Sequence, residues 1–358
     1  MKVSLRRGPP GLRVIYFRLM FRDRKRTLAL SAAALLACAP GAAAATPGTG
    51  AASIPGAAGA SSPPATRAQG AMGLRLPGVF VVHRQAVTVP DRGLKVTGVV
   101  RPYVPGQWVT VRAFVGRRLI KRDRLRIKPS RRGGGRFTER VTSPRAGAVT
   151  VTVTHARTLQ QVGFQSVRRY AVLDERIGSG SRGPFVALIQ QRLAALHLFL
   201  PQSGVYDGAT GLALDAYHRM LGWGTSQGLG GATTSALLNG RGHFHIRFPG
   251  HGHHAEGNLG KQLLALADGG AVRYIFPISS GKLSTPTVLG DFRVYQRSPG
   301  YLPDGMYYSS FFIGGYAIHG YDPAPDFPAS HGCMRLPIAD AIPAYRWLTF
   351  GNWVDVYN

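Results

Sequence analysis

The chain is poor in cysteine, poor in carboxylates, and has no long uninterrupted apolar run. Two cysteines among 358 residues exclude a disulfide-stapled scaffold. Sixteen Asp and Glu against forty-four Lys and Arg leave a formal net charge of +28. Such a balance points to an anionic partner: nucleic acid, a membrane surface or an acidic polymer. No basic helix or RNA-binding aromatic signature accompanies the charge, which argues against nucleic acid. The longest apolar stretch, Leu28 to Ala39, is short for a stable membrane span of about 20 residues.

That stretch follows Arg22-Asp23-Arg24-Lys25-Arg26 and precedes Ala43-Ala44-Ala45, so residues 1–45 read as a secretory signal peptide. Two other readings stay open: an uncleaved N-terminal anchor, and a lipoprotein site at Leu35-Leu36-Ala37-Cys38 with Cys38 lipidated. Residues 46–75, nearly all Ala, Gly, Ser, Pro and Thr in their first part, read as a disordered tether. In every case the remainder keeps one thiol, Cys333, and a lone cysteine in an exported protein is expected to serve chemistry.

Residues 76–172 alternate Val and Thr with polar residues, as in Trp108-Val109-Thr110-Val111 and Val149-Thr150-Val151-Thr152-Val153. Six or seven such strands predict an immunoglobulin-like β-sandwich with no catalytic cluster. Over 176–240 the period changes to helical, with Phe185, Leu188, Ile189, Leu193 and Leu196 on one face after Pro184. Gly178-Ser179-Gly180-Ser181-Arg182-Gly183 matches G-x-G-x-x-G, but lacks the strand before it and the acidic residue after it. It reads as loop and helix start. Residues 241–253 gather His243, His245, His251 and His253 around Pro249-Gly250, with His254 following. With no Cys and only Glu256 nearby, this reads as a solvated His/Gly linker and not a metal site.

Residues 254–358 are strand-like, with a hairpin signal at Asp268-Gly269-Gly270 and one helix from Ile338. Cys333 lies in Ser330-His331-Gly332-Cys333-Met334-Arg335, after His319-Gly320. A thiol beside imidazoles is the pattern of an activated nucleophile, because a neighbouring base lowers its pKa or takes its proton. His319 and His331 are both candidate bases. Gly320 and Gly332 admit close backbone approach, the Gly332 and Cys333 amides are candidate oxyanion donors, Arg335 can hold a carboxylate, and Ser330 reads as a loop-orienting hydroxyl.

Ile318-His319-Gly320 followed by Ala329-Ser330-His331-Gly332-Cys333-Met334-Arg335-Leu336-Pro337 resembles the L,D-transpeptidase (YkuD) catalytic domain over about a hundred residues. Residues 176–240 resemble a three-helix peptidoglycan-binding domain, departing from it at Tyr217-His218. These likenesses imply an exported enzyme that cross-links peptidoglycan through a Cys333 thioester with His319 as base, acting on donor and acceptor stem peptides without metal or organic cofactor. They turn the expected anionic partner into wall polymers and leave N-terminal membrane anchoring open. The expected architecture is multidomain and mainly β: an N-terminal Ig-like sandwich, a small helical domain and a β-rich catalytic domain. An L,D-carboxypeptidase and a non-catalytic wall-binding protein are the alternatives. The domain order further predicts that removing residues 1–240 leaves a catalytic domain active on soluble donors.

Overall fold

The computed structural model describes residues 67–358. The signal or anchor segment, Cys38 and most of the tether lie outside the described residues. Among these, no helix is long and apolar enough to cross a membrane.

Ten strands form the first domain: β1 (Ala71–Arg75), β2 (Phe80–Val82), β3 (Gln85–Thr88), β4 (Leu94–Arg101), β5 (Trp108–Val115), β6 (Arg118–Arg126), β7 (Lys128–Pro129), β8 (Gly135–Val141), β9 (Gly147–His155) and β10 (Phe164–Val172). They make a four-stranded sheet in the order β1-β4-β8-β7 and a six-stranded sheet in the order β2-β3-β10-β9-β5-β6. The Val/Thr alternation sends Val96, Val100, Val109, Val111, Val149, Val151 and Val153 into a shared core. A period of two demands this of a half-buried strand. The sheet begins earlier than composition suggested. Ala71–Arg75, inside the segment read as tether, pairs antiparallel with Thr97–Arg101, a long-range contact that local composition does not encode.

Helices α1 (Pro184–Ala195), α2 (Gly208–Leu221) and α3 (Gly231–Leu238) follow. Pro184 starts α1, and the Asp207 carboxylate caps α2 by accepting from Thr210 N–H. Buried Gln190 ties α1 to the next loop, donating to Val205 O and Thr210 Oγ1 while accepting from Gly204 N–H. His218 has a structural explanation: its two ring nitrogens meet Ser226 O at 2.7 Å and Thr233 Oγ1 at 2.8 Å.

The rest comprises β11 (His253–Asn258), β12 (Leu263–Asp268), β13 (Ala271–Pro277), β14 (Gly290–Arg293), β15 (Gln296–Tyr301), β16 (Tyr307–Ile313), β17 (Tyr316–Gly320), β18 (Met334–Leu336), α4 (Ile338–Trp347) and β19 (Trp353–Tyr357). The orders are β13-β12-β11-β19-β14 and β15-β16-β17-β18, with β11–β19 and β17–β18 parallel. Leu264, Leu266, Phe276, Ile318, Met334, Leu336 and Leu348 fill the core of this domain. The chain is thus multidomain and mainly β.

The helical domain is built into the five-stranded C-terminal sheet. Leu263, Ala265, Ala267 and Ile275 point away from the catalytic core and join one continuous cluster with the helices and with Val82, Val87 and Val89 of the sandwich. Ile275 N–H donates to His197 O at 2.8 Å, and Phe199 N–H to Ile275 O at 3.1 Å. Buried Arg219 pairs with Asp215 at 2.5 Å and donates to Gln262 O and Ile278 O. Removing residues 1–240 would uncover this apolar face and a sheet edge, so the C-terminal domain shares its packing with the helices before it.

Residues 241–253 are also no loose linker. Phe244 and Ile246 are buried in that same cluster, and Pro249–His251 form a 3-10 turn.

Candidate active site

β17 and β18 run parallel with Ile318 opposite Met334 and His319 opposite Arg335. Ile318 and Met334 point into the core. Alternation therefore puts Ala317, His319 and Arg335 on the other face, while Cys333 sits in the bend just before β18 with its Sγ at the Ala317 amide. Cys333 is half-buried, its Sγ accepting from Ala317 N–H at 3.4 Å and facing Gly315 O at 3.7 Å. Burial raises its pKa above the usual thiol value, with the Ala317 amide and Arg335 pulling the other way. His319 is 2% exposed, and its Nδ1 faces Gly320 O at 2.9 Å. Nδ1 donating there leaves Nε2 as the free lone pair. Burial, aided by Arg335, lowers its pKa to about 4. The resting pair is thus a neutral thiol and a neutral imidazole. Among the described residues the hydrogen bonds do not join the two directly.

The loop before Cys333 is pinned. Buried Ser330 donates from Oγ to Cys333 O at 2.6 Å and accepts from Gly332 N–H at 3.0 Å. The Gly332 amide is therefore engaged, which corrects its assignment as an oxyanion donor. Gly332 has φ +119°, and a Cβ there would meet the Tyr316 ring at 2.0 Å, so both backbone and space demand glycine. At Gly320 a Cβ would meet Ala341 of α4 at 2.7 Å. His331 points elsewhere: it is exposed, with Nε2 3.4 Å from Lys282 Nζ. The Arg335 guanidinium lies 4.0 Å over the Tyr321 ring, whose other neighbour is the His319 ring, edge-on at 5.8 Å.

Tyr321 and the loop 279–287 were missed in the sequence. Ala329 and Ser330 N–H both donate to Ser280 O, Lys282 N–H and Thr285 Oγ1 bind Ser330 O, and Ser279 exchanges backbone bonds with Arg335. Ser279-Ser280-Gly281 was the available signal. A Cβ at Gly281 would meet Thr285 O at 2.3 Å.

The histidine patch divides: His243, His245 and His253 are exposed, as a solvated segment requires, while His254 and, in part, His251 join a buried polar cluster. His254, Glu256 and Asp355 are wholly buried, with one ligand atom of each within 4.8 Å of the others. His254 Nδ1 faces Gly252 O at 2.8 Å and its Nε2 faces Glu256 at 3.3 Å, while His251 Nδ1 bonds Asp355 at 2.9 Å. Glu256 accepts from Arg247 N–H, Phe248 N–H and Tyr357 OH. With both its oxygens so occupied, Glu256 fastens residues 247–248 to β11 and β19 and offers little to a cation. A separate cavity of about 210 Å³ lies between α2 and the catalytic domain, lined by Asp215, Arg219, Gln227, Ile278 and Asp326. It contains none of the candidate catalytic groups.

Comparison with known proteins places this geometry. Residues 253–356 match the model of the YkuD L,D-transpeptidase catalytic domain. A Bacillus subtilis (strain 168) protein bearing the name L,D-transpeptidase YkuD is 36% identical over 94 residues, 25% of this chain; the match spans 57% of that relative's length. The L,D-transpeptidase structure of Xylanimonas cellulosilytica DSM 15894 (residues 123–326) is 31% identical and aligns over 52% of this chain and 98% of its own, with a TM-score of 0.47. That of Stackebrandtia nassauensis is 19% identical over 51% of this chain and 95% of its own, with a TM-score of 0.34. Residues 253–356 of this chain are thus a domain of the L,D-transpeptidase (YkuD) type.

Proposed function

We propose that the protein is an exported L,D-transpeptidase that cross-links peptidoglycan through an acyl-enzyme on Cys333. The observation that carries this reading is the convergence at β17 and β18, where the single thiol of the described residues contacts the Ala317 amide, two positions from a buried, neutral imidazole, and the Arg335 guanidinium acts on both groups. Because His319 is neutral above about pH 5 it is free to act as base, and donor binding exchanges the Sγ contact with Gly315 O for one with the substrate carbonyl. Catalytic hydrogen bonds are often incomplete without substrate.

Cys333 Sγ attacks the carbonyl of the third stem residue, at its L-centre. The thiol proton passes to His319 Nε2, and the collapsing tetrahedral centre breaks the bond to D-Ala, whose amine takes that proton as it leaves. The Cys333 amide, not drawn into the Ser330 network, serves the oxyanion. Arg335 supplies positive charge for the donor carboxylate or the oxyanion, held flat by Tyr321. The side-chain amine of an acceptor stem then attacks the thioester, His319 removes its proton, and the thiol is released. Water in place of the amine gives the carboxypeptidase reaction.

The test is mass spectrometry of the full chain with a defined tetrapeptide donor, with and without an acceptor amine. An adduct on Cys333, absent in Cys333→Ala, with cross-linked product formed only with acceptor, is the expected result. Free tripeptide in place of cross-link identifies a carboxypeptidase. An adduct that persists in Cys333→Ala removes the cysteine mechanism. Covalent labelling by a carbapenem separates both reactions from a non-catalytic wall binder.

A further inference from the structure

The charge of this chain is concentrated in one domain. Residues 76–172 contain twenty Lys and Arg against three Asp and Glu, whereas residues 173–358 contain thirteen against twelve. Two of the three carboxylates, Asp123 and Glu139, are held by the single Lys121 at 2.7 and 3.2 Å. The third, Asp91, lies in a loop before β4.

The strand register assigns the remaining charges to faces. Val109, Val111 and Ala113 of β5 are wholly buried, so Trp108, Thr110 and Arg112 face outward. Their partners on β6 are Arg126, Arg124 and Arg122. On the other side Thr154 and Thr152 of β9 stand opposite Thr110 and Arg112, and Arg169 of β10 stands opposite Thr150. The outer face of the six-stranded sheet is therefore a threonine ladder set with five guanidiniums, one of them, Arg124, 5.1 Å over the half-exposed Trp108 ring. The outer face of the other sheet carries Arg75, Lys95, Arg101, Lys128 and Arg136, all exposed. Among the described residues none of these ten forms an ion pair. Guanidiniums two residues apart along β6 repeat at about 6.6 Å, a row of cations with no counter-charge.

Edge strands often carry a charge to prevent pairing with other chains. That need is met by one or two residues on β6 and does not extend to β10, β4 or β8. We propose that the β-sandwich is a polyanion-binding module that holds the enzyme among phosphodiester-bearing glycopolymers of the cell wall, engaging them through the outer faces of both sheets. A membrane or a rigid duplex is flat on the scale of this domain and meets one face. Charge on two opposite faces is complemented by a flexible polymer mesh that surrounds the domain. Exposed hydroxyls between the guanidiniums, with one aromatic ring, suit a polymer that alternates phosphate with polyol or sugar. The choice of a wall polymer rests on the function proposed above; the charged faces do not.

The test is co-sedimentation of the full chain with cell walls before and after hydrofluoric acid has cleaved their phosphodiesters. One variant carries Arg112→Ser, Arg122→Ser, Arg124→Ser and Arg126→Ser; a second carries Lys95→Ser, Arg101→Ser and Arg136→Ser; a third combines them. Each face variant should weaken retention by about tenfold or more and flatten its salt dependence, since fewer counterions are released. The combination and the stripped walls should abolish it. Vesicles of phosphatidylglycerol and phosphatidylcholine, and a single-stranded DNA oligonucleotide, serve as rival partners. Undiminished binding to stripped walls, loss confined to one face variant, or equally variant-sensitive binding to vesicles or DNA overturns the proposal. Acylation of Cys333 by the soluble donor is followed in every variant and should not change. Its absence in the parent chain would defeat the transpeptidase reading and leave the sedimentation result to stand by itself.

Discussion

The β-sandwich and the catalytic domain are both β-rich and of similar length, yet they use ionisable groups in opposite ways. In the sandwich the outward positions of both sheets carry unpaired cations, and among its described residues His155 is the one buried residue of the Asp, Glu, Lys, Arg and His types. In the catalytic domain His254, Glu256, His319, Asp340 and Asp355 are buried. Taking charge out of water is costly unless it is paired, so burying it makes a domain sensitive to pH and to single substitutions. Leaving it in solvent costs the fold little and makes binding sensitive to salt instead. The two domains should therefore respond to different perturbations.

The largest contrast is chemical. Cys333→Ala should reduce acyl-adduct formation and turnover to background by mass spectrometry, with thermal unfolding nearly unchanged because the thiol is only half-buried. No substitution on the sandwich faces should alter the adduct. An acylation rate that followed the sandwich variants would break the division between the two domains.

Next in size is a matched pair of carboxylate deletions. Glu256→Ala strands the amides of Arg247 and Phe248 and the Tyr357 hydroxyl, and leaves His254 without its partner. It should cost about 3–5 kcal/mol in denaturant unfolding. Asp123→Ala in the sandwich breaks an ion pair whose partners are over one-third exposed, and should cost no more than about 1 kcal/mol. Equal losses would mean that burial does not separate the domains.

The third test is pH. His319 titrates at about 4 in the folded chain, below the ordinary imidazole value of 6.5. The unfolded chain therefore binds this proton first. Stability from this group is complete above about pH 6.5 and is lost as pH falls toward 4, at most about 3 kcal/mol. Asp340 has the opposite sign: burial raises it from 3.8 to about 7. The folded chain keeps a proton that the unfolded chain releases, so its contribution is present below about pH 4 and is lost as pH rises to 7. His319→Asn should flatten the acid side of the stability profile, and Asp340→Asn should raise stability at pH 8 relative to pH 4. Slopes unchanged in both variants would show that these groups are not buried as described.

Much of this contrast was legible in the sequence, though unevenly. The period-two runs of 76–172 and the helical period of 176–240 are local, and so is the short spacing that identifies Cys333 and His319. What was hidden depends on contacts between distant residues. Tyr357 meets Glu256 across 101 positions and Asp355 meets His251 across 104, so the buried part of the histidine patch stayed hidden until β19 was laid beside β11. Leu263, Ala265 and Ile275 read as an ordinary strand, with nothing local to show that both of its faces are buried. The Gly332 amide looked free because its acceptor, Ser330 Oγ, is a side chain whose rotamer the sequence does not give.

The smallest effect is the most discriminating. Arg112 and Arg122 stand directly opposite each other on β5 and β6, both exposed and neither ion-paired. Like charges opposite one another destabilise a sheet, and threonine is favoured in strands over a flexible cation. Arg122→Thr should therefore raise the stability of the chain by a few tenths of a kcal/mol, up to about 0.5, in denaturant unfolding. The same substitution should weaken retention on cell walls, because it removes one member of the guanidinium row. A residue kept only to protect an edge or to maintain solubility would give the stability change without the loss of wall binding. A residue kept for folding would give a loss of stability. Stability gained together with binding lost is the expected behaviour of a position whose charge serves an external partner at the expense of the fold. Raising the salt concentration should shrink the binding loss and the repulsive part of the stability gain, since both arise from exposed charges screened over about 8 Å at physiological ionic strength, and leave the part due to threonine's strand preference.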